Sequence, residues 1–226
     1  MNKVRTAEEV LPFIRSGSTL MVGGFGLVGA PLTLIRALER HDVRDLTIIS
    51  NNIGEPGRGL GKLLRDGKIR KAIGSYFTSN PEVGELYNKK QLEVELVPQG
   101  TLAERIRAGG AGIGGFYTRT GVGTLLENGK EKRELGGVTY LLELPLRADV
   151  ALIRAHKADE LGNLVYYKTA RNFNPIMATA ADLVIAEVDE IVPAGALDPE
   201  SIVTPHLYVD YIVKAEVFID EVLKDG

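Results

Sequence analysis

Residues 19–40, TLMVGGFGLVGAPLTLIRALER, set the fold class of this chain. Thr19, Leu20, Met21 and Val22 read as a short strand bounded by glycine. After Pro31, Leu34, Ile35 and Leu38 recur at helical spacing, so residues 31–40 read as a helix. Strand, glycine turn and helix make the first half of a βαβ unit. The alternation continues downstream. Residues 46–50 read as a strand, 60–65 as a helical segment and 69–76 as extended chain. Asn80 before Pro81 places a cap residue ahead of a proline at the first helical position. Residues 94–97 read as a strand. Thr101 and Glu104 then form a capping-box pattern whose helix closes at Gly109 and Gly110. Upstream, Thr6 and Glu9 form another such box, for a short helix ending before Gly17. Parallel strands need crossover connections of about a dozen residues. The sequence therefore predicts an α/β fold with an open, largely parallel sheet flanked by helices.

The second part of the chain is less regular. Residues 137–144, 150–154 and 163–167 read as strands, 174–181 as a helix and 183–188 as a buried strand; 208–213 fits either type. Residues 125–136 carry Glu127, Lys130, Glu131, Lys132, Arg133 and Glu134 and read as a solvated excursion. With no repeat or proline-rich linker, the expectation is one domain over residues 1–226.

Composition narrows the function. A net charge of −3 from 27 basic and 30 acidic side chains excludes a bulk basic footprint for nucleic acid or an anionic membrane. Absence of cysteine excludes a disulfide scaffold, thiolate metal sites and a cysteine nucleophile. No apolar run approaches the ~18 residues of a membrane helix, and residues 1–16 do not read as a signal peptide. The expectation is a cytoplasmic protein. His41, His156 and His206 have no metal-ligand spacing and read as structural groups. Of 26 glycines, 23 fall in residues 1–137, clustered at the ends of periodic segments, where they allow turns and close backbone approach.

Gly24, Gly26 and Gly29 match the G-x-G-x-x-G pattern between a strand and a helix, which opens a nicotinamide-dinucleotide oxidoreductase as one reading. Pro31 argues against it, because the third glycine of that motif already lies within the helix, where a nearby proline removes a hydrogen bond. The next strand also ends at Ser50, Asn51 and Asn52, without a carboxylate for a ribose hydroxyl. Gly110, Gly112 and Gly115 match the pattern again but follow a helix, the wrong context.

Longer stretches carry a resemblance. Gly23-Gly24-Phe25-Gly26-Leu27-Val28-Gly29-Ala30-Pro31, preceded by Ser16-Gly17-Ser18-Thr19, resembles the first signature of family I coenzyme A transferases. Val97-Pro98-Gln99-Gly100-Thr101-Leu102-Ala103-Glu104-Arg105, running on to Gly112, resembles a second hallmark of that family, and Lys157-Ala158-Asp159 through Gly162-Asn163 with Ala170-Arg171-Asn172-Phe173-Asn174 a third. Ser50-Asn51-Asn52 and Ile202-Val203-Thr204-Pro205 fit as well. The order is that of the A (alpha) subunit of the succinyl-CoA:3-ketoacid (3-oxoacid) CoA-transferases.

That resemblance implies a fold of the CoA-transferase and ribose-phosphate-isomerase type. It implies half an enzyme, working as a heterodimer or heterotetramer. A B-type partner would carry the catalytic glutamate, and CoA would pass from an acyl-CoA through an enzyme–CoA thioester to a second carboxylic acid. No cofactor would be held permanently; CoA is a substrate. Gln99 becomes the catalytic candidate of this chain, holding the oxygen of the thioester or acyl intermediate. Gly24, Phe25, Gly26, Leu27, Val28, Gly29 and Ala30 become the CoA-binding loop, and Asn51 and Asn52 substrate-binding residues. Arg171 is of a type suited to carboxylate or phosphate. Glu127-Asn128-Gly129 resembles the B-type glutamate motif, but a solvated charged loop offers no dehydrated site for a nucleophile, so Glu127 reads as a decoy.

Overall fold

The computed structural model describes residues 3–224. In chain order its elements are β1 (Val4–Arg5), α1 (Ala7–Val10), β2 (Thr19–Val22), α2 (Leu32–Arg40), β3 (Leu46–Ile49), α3 (Leu60–Arg65), β4 (Ile69–Gly74), α4 (Pro81–Asn88), β5 (Glu93–Leu96), α5 (Gln99–Gly110), β6 (Phe116–Thr118), β7 (Lys132–Leu135), β8 (Val138–Glu143), β9 (Ala148–Asp159), β10 (Leu164–Val165), α6 (Asn174–Met177), β11 (Ala181–Val192), β12 (Tyr211–Lys214) and α7 (Ile219–Val222). The main sheet runs β1-β12-β11-β9-β2-β3-β4-β5, with β10 off this path on β9. Every neighbouring pair along the path is parallel, and only β10 folds back antiparallel. The expected α/β architecture is thus the observed one.

Alternation along each strand sends side chains to both faces. Leu20, Val22, Ile48, Leu152 and Ile185 meet α1, α2, α3 and α4 in one apolar cluster. Met21, Ile49, Ile73, Ala151, Ile153 and Ala186 meet Leu102 and Ile106 of α5 and Met177 of α6 in a second. A parallel strand covered on both faces needs apolar residues throughout, which is why β3 is buried at every position. Leu34, Ile35 and Leu38, the helical stripe legible in the sequence, are each at most 1% exposed, worth roughly 1.5–3 kcal/mol apiece.

Chain order reverses between β2 and β9: β3, β4 and β5 extend one way, β11, β12 and β1 the other. In open α/β sheets the crevice at the carboxyl ends of strands flanking such a switch is where ligands bind. The glycine loop follows β2, and Gln99 follows β5.

Several local expectations need correction. Helix α5 starts at Gln99, not at a Thr101 cap. Pro98 is its N-cap residue, Thr101 is the third helical residue and is 4% exposed, and Glu104 pairs with Arg107 at 2.6 Å. The helix expected over 174–181 closes at Met177, and 208–213 divides into a 3-10 turn and β12. The charged excursion holds β7, which pairs with β8 in a separate antiparallel sheet, order β6-β8-β7. Gly136 and Gly137 make its two-residue turn with φ of 57° and 74°, the positive pair a hairpin of this type demands. Lys130 also reaches inward to Glu143, which is 2% exposed. Hydrophobic alternation could not reveal this strand, because its side chains are all exposed.

Candidate functional site

Four adjacent strand ends are laced together. The Ser50 hydroxyl donates to Val22 O at 2.8 Å, joining the ends of β3 and β2. Ser75 and Tyr76 N–H both donate to Asn51 O at 3.0 Å, and Val97 N–H to Gly74 O at 2.8 Å, joining β3, β4 and β5. On this frame sits a side-chain triad. Asn51 Nδ2 donates to Gln99 Oε1 and to Ser75 Oγ, each at 3.0 Å, and Ser75 Oγ donates to Gln99 Oε1 at 3.3 Å.

The triad sets the Gln99 amide. Both donors fall on Oε1, so Nε2 is left without a hydrogen-bond partner among the described residues, and Gln99 is exposed. The result is an N–H donor of fixed orientation at the start of a twelve-residue helix. The first-turn N–H groups of a helix are not consumed within it and favour negative charge. Asn51 and Asn52, read as substrate-binding, are 0% and 4% exposed, and Asn51 Oδ1 is a buried acceptor without a hydrogen-bond partner among the described residues. Asn51 therefore acts on Gln99 from beneath. Ser75 escapes sequence reasoning, because one serine after a strand carries no periodic or motif signal.

The loop at 24–30 is a tight turn. Phe25 N–H donates to Val28 O at 3.0 Å and Val28 N–H to Phe25 O at 3.3 Å. Phe25 is 49% exposed and Val28 41%, while Leu27 and Ala30 are buried at 5% and 7%. Only part of the expected CoA-binding segment thus presents side chains outward. Gly29 has φ of +71°, and a Cβ there would lie 2.4 Å from Ala170 O, so the loop packs directly on the Ala170-Arg171-Asn172 segment. Helix α2 begins at Leu32 with Pro31 as N-cap residue, so the third glycine stays outside the helix, unlike the dinucleotide motif. The second glycine pattern is structural: a Cβ on Gly110 would meet Thr179 Oγ1 at 2.1 Å.

The remaining candidates separate. Glu127 Oε1 is paired with Lys132 at 2.7 Å and Oε2 accepts Gly123 N–H at 2.7 Å, and these bonds hold its pKa down; it ties together the excursion. Arg171 is exposed and makes no ion pair among the described residues. His41 Nε2 meets Ile14 O at 3.2 Å, His156 Nδ1 meets Asp189 at 3.0 Å, and His206 is exposed. Asp159 of the Lys157-Ala158-Asp159 stretch closes the turn after β9. Its Oδ1 accepts N–H from Leu161, Gly162 and Asn163 at 3.1, 3.0 and 2.9 Å, and its Oδ2 accepts Asn163 Nδ2 at 2.8 Å.

Beneath α2 lies a buried ion cluster. Glu187, 0% exposed, accepts the Leu34 N–H at 3.0 Å and the Thr33 hydroxyl at 3.1 Å and pairs with Arg154, which also binds Asp189. Burial pushes Glu187 up to about 7 against the opposing pull of Arg154 and these hydrogen bonds. The carboxylate thus caps the first turn of α2 from across the fold.

Known proteins resemble this chain along nearly its whole length. The family model described as coenzyme A transferase matches residues 4–215. The alpha subunit of the acetate CoA-transferase of Escherichia coli (strain K12) is 50% identical over 214 residues, which is 95% of this chain and 97% of that one. The A-type subunit of the succinyl-CoA:3-ketoacid coenzyme A transferase of Xanthomonas campestris pv. campestris (strain B100) is 56% identical over 200 residues, 88% of this chain and 83% of its own. Among solved structures, an acyl-CoA transferase from E. coli O157:H7, in thioester complex with CoA, matches with a TM-score of 0.85 at 25% identity over 95% of this chain. The present chain spans 47% of that one. The oxidoreductase alternative finds no support in these similarities. Among the described residues no helix is long and apolar enough to cross a membrane.

Proposed function

The chain belongs to the coenzyme A transferase family, and on that premise we propose that it is the A-type (alpha) half of a heteromeric enzyme moving CoA from an acyl-CoA, succinyl-CoA first among them, to a 3-oxo acid. In this reading residues 1–226 form one domain and supply half of the active site. A glutamate on the B-type partner attacks the thioester carbonyl of the acyl-CoA. The carbonyl oxygen takes on the negative charge as the carbon becomes tetrahedral, and the CoA thiolate leaves as it collapses. The thiolate then attacks the glutamyl carbonyl of the resulting mixed anhydride, releasing the donor acid as its carboxylate and leaving CoA on the glutamate as a thioester. The acceptor carboxylate attacks that thioester and displaces the thiolate, which takes the acceptor acyl group from the second anhydride and frees the glutamate. The same reading puts the enzyme in the cytoplasm, beside the acyl-CoA it draws on.

One observation carries the role of this chain: the Gln99 amide, held through Oε1 by Asn51 and Ser75, presents Nε2 at the head of α5. An oriented neutral donor beside a helix N-terminus suits an oxyanion that exists only in the tetrahedral states. Asn51, buried beneath it, has its share in substrate binding through the Gln99 amide that it holds, and Asn52 follows it at the end of β3. The loop at 24–30, with Phe25 and Val28 outward, provides a surface for the CoA arm. Relatives of comparable identity carry names for acetate and for succinyl-CoA with 3-ketoacids, so the acyl pair is decided by assay. The test is reconstitution. The isolated chain should not turn over; with a B-type partner it should transfer CoA from succinyl-CoA to acetoacetate. Turnover by the isolated chain would refute the half-enzyme reading, and a reconstituted complex active only with acetate would displace the succinyl-CoA assignment.

A further inference from the structure

Two asparagines from the second half of the chain hold both ends of the loop at 24–30. Asn172 Oδ1 accepts the Gly24 N–H at 3.1 Å and the Phe173 N–H at 2.7 Å. Its Nδ2 donates to Val28 O at 3.0 Å, Thr169 O at 3.1 Å and Ala170 O at 3.2 Å. Asn174, 0% exposed, donates Nδ2 to Gly29 O at 3.0 Å and Ala170 O at 2.9 Å, and its Oδ1 accepts the Arg154 N–H at 2.8 Å. Gly23 is packed against the same group, since a Cβ there would lie 1.7 Å from Asn174 Oδ1.

The loop's own bonds are few: the Phe25–Val28 pair and Ala30 N–H to Leu27 O at 3.2 Å. Gly24, Gly26 and Gly29 all have positive φ, and glycine gives the unfixed chain wide freedom. Without the asparagines, ligand binding would have to order this segment and would lose affinity accordingly. The backbone at Asn172, φ 20° and ψ −120°, is a conformation that glycine adopts more readily than asparagine. Glycine would satisfy that backbone and lose every side-chain bond. The conformation alone therefore does not call for asparagine, whereas the clamp does.

We propose that Asn172, seated on Asn174, is a positioning residue that presets the loop at 24–30 for acyl-CoA. The inference rests on the reading of that loop as a CoA surface, so two variants are measured together in the complex with the B-type partner. Phe25→Ala tests the surface itself: the KM for acyl-CoA should rise. Asn172→Gly tests the clamp. The KM for acyl-CoA should rise roughly 5- to 30-fold, as expected from lost hydrogen bonds and added ordering cost. kcat and the KM of the acceptor acid, which meets an enzyme already carrying CoA, should stay within about 2-fold. Hydrogen exchange over residues 24–30 should quicken in the free complex.

If Phe25→Ala raises the KM and Asn172→Gly does not, the clamp is wrong and the loop reading stands. If Phe25→Ala leaves the KM unchanged, the loop reading falls and takes the clamp with it. Should Asn172→Gly fail to fold, Asn172→Asp decides. It keeps the acceptor for Gly24 and Phe173 but loses the donors, and an unchanged KM for acyl-CoA would overturn the proposal.

Discussion

Gln99 offers the sharpest test of the chemistry, through Gln99→Glu beside Gln99→Ala. Asn51 Nδ2 keeps its 3.0 Å bond to Ser75 Oγ when Gln99 is truncated, and Gln99 is itself exposed. The alanine variant takes the acceptor from the second Asn51 N–H, but removing an exposed side chain admits water to it, so the variant should cost at most about 1 kcal/mol. Catalysis should respond very differently. One donor to a developing oxyanion is worth about 2.7–4 kcal/mol, or roughly 10²- to 10³-fold in kcat. The glutamate variant separates holding from donating. A carboxylate oxygen can still accept from Asn51 Nδ2 and Ser75 Oγ, so the triad persists, but the other oxygen has no proton to give and repels the oxyanion. Both variants should therefore lose about 10²- to 10³-fold in kcat, with Glu at least as impaired as Ala. Steady-state kinetics of the reconstituted complex reads kcat, and thermal unfolding reads stability. Retention of kcat within about 3-fold by Gln99→Glu would sink the donor role. A loss confined to KM would instead place the amide in ground-state binding.

Two further predictions concern folding. Glu187 has its carboxyl raised from 4.5 to about 7, so the native state holds the proton more tightly than the unfolded chain. The contribution is fully present below about 4.5 and is lost as pH rises through about 7. Relative to Glu187→Gln, which does not titrate there, the parent should lose up to about 3 kcal/mol between pH 5 and 8, read by denaturant unfolding; parallel pH profiles would show that Arg154 compensates the charge fully. Asp159→Ala removes the acceptor of three backbone N–H groups and one amide and should cost about 2–4 kcal/mol, a fall of roughly 4–16 °C in Tm. A change under 2 °C would mean that water replaces the carboxylate in that turn.

Much of the fold was legible because parallel strands covered on both faces announce themselves. Residues 46–49 are apolar or β-branched throughout and became β3, and Leu34, Ile35 and Leu38 repeat on the face of α2 that is buried. The failures have identifiable causes. Thr101 and Glu104 satisfy a capping pattern, yet Pro98 already starts the helix and Thr101 is drawn into the core. β7 is exposed on every side chain and held by its hairpin partner, so it leaves no hydrophobic period to read.

Local spacing and glycine placement were enough to determine the sheet class and the strand–loop–helix unit around residues 19–40, while the resemblance to coenzyme A transferases singled out Gln99 and the loop at 24–30. The sheet class and that unit depend on neighbours in the chain, whose geometry a sequence carries directly. Which amide atom of Gln99 faces outward was decided only in three dimensions, by Asn51 and Ser75 arriving at the ends of β3 and β4. So was the cap of α2, supplied by Glu187 more than a hundred residues away, and the clamp that Asn172 and Asn174 place on the glycine loop. Hydrogen bonds between distant segments follow from the order in which parallel strands assemble, and that order has no trace in local periodicity.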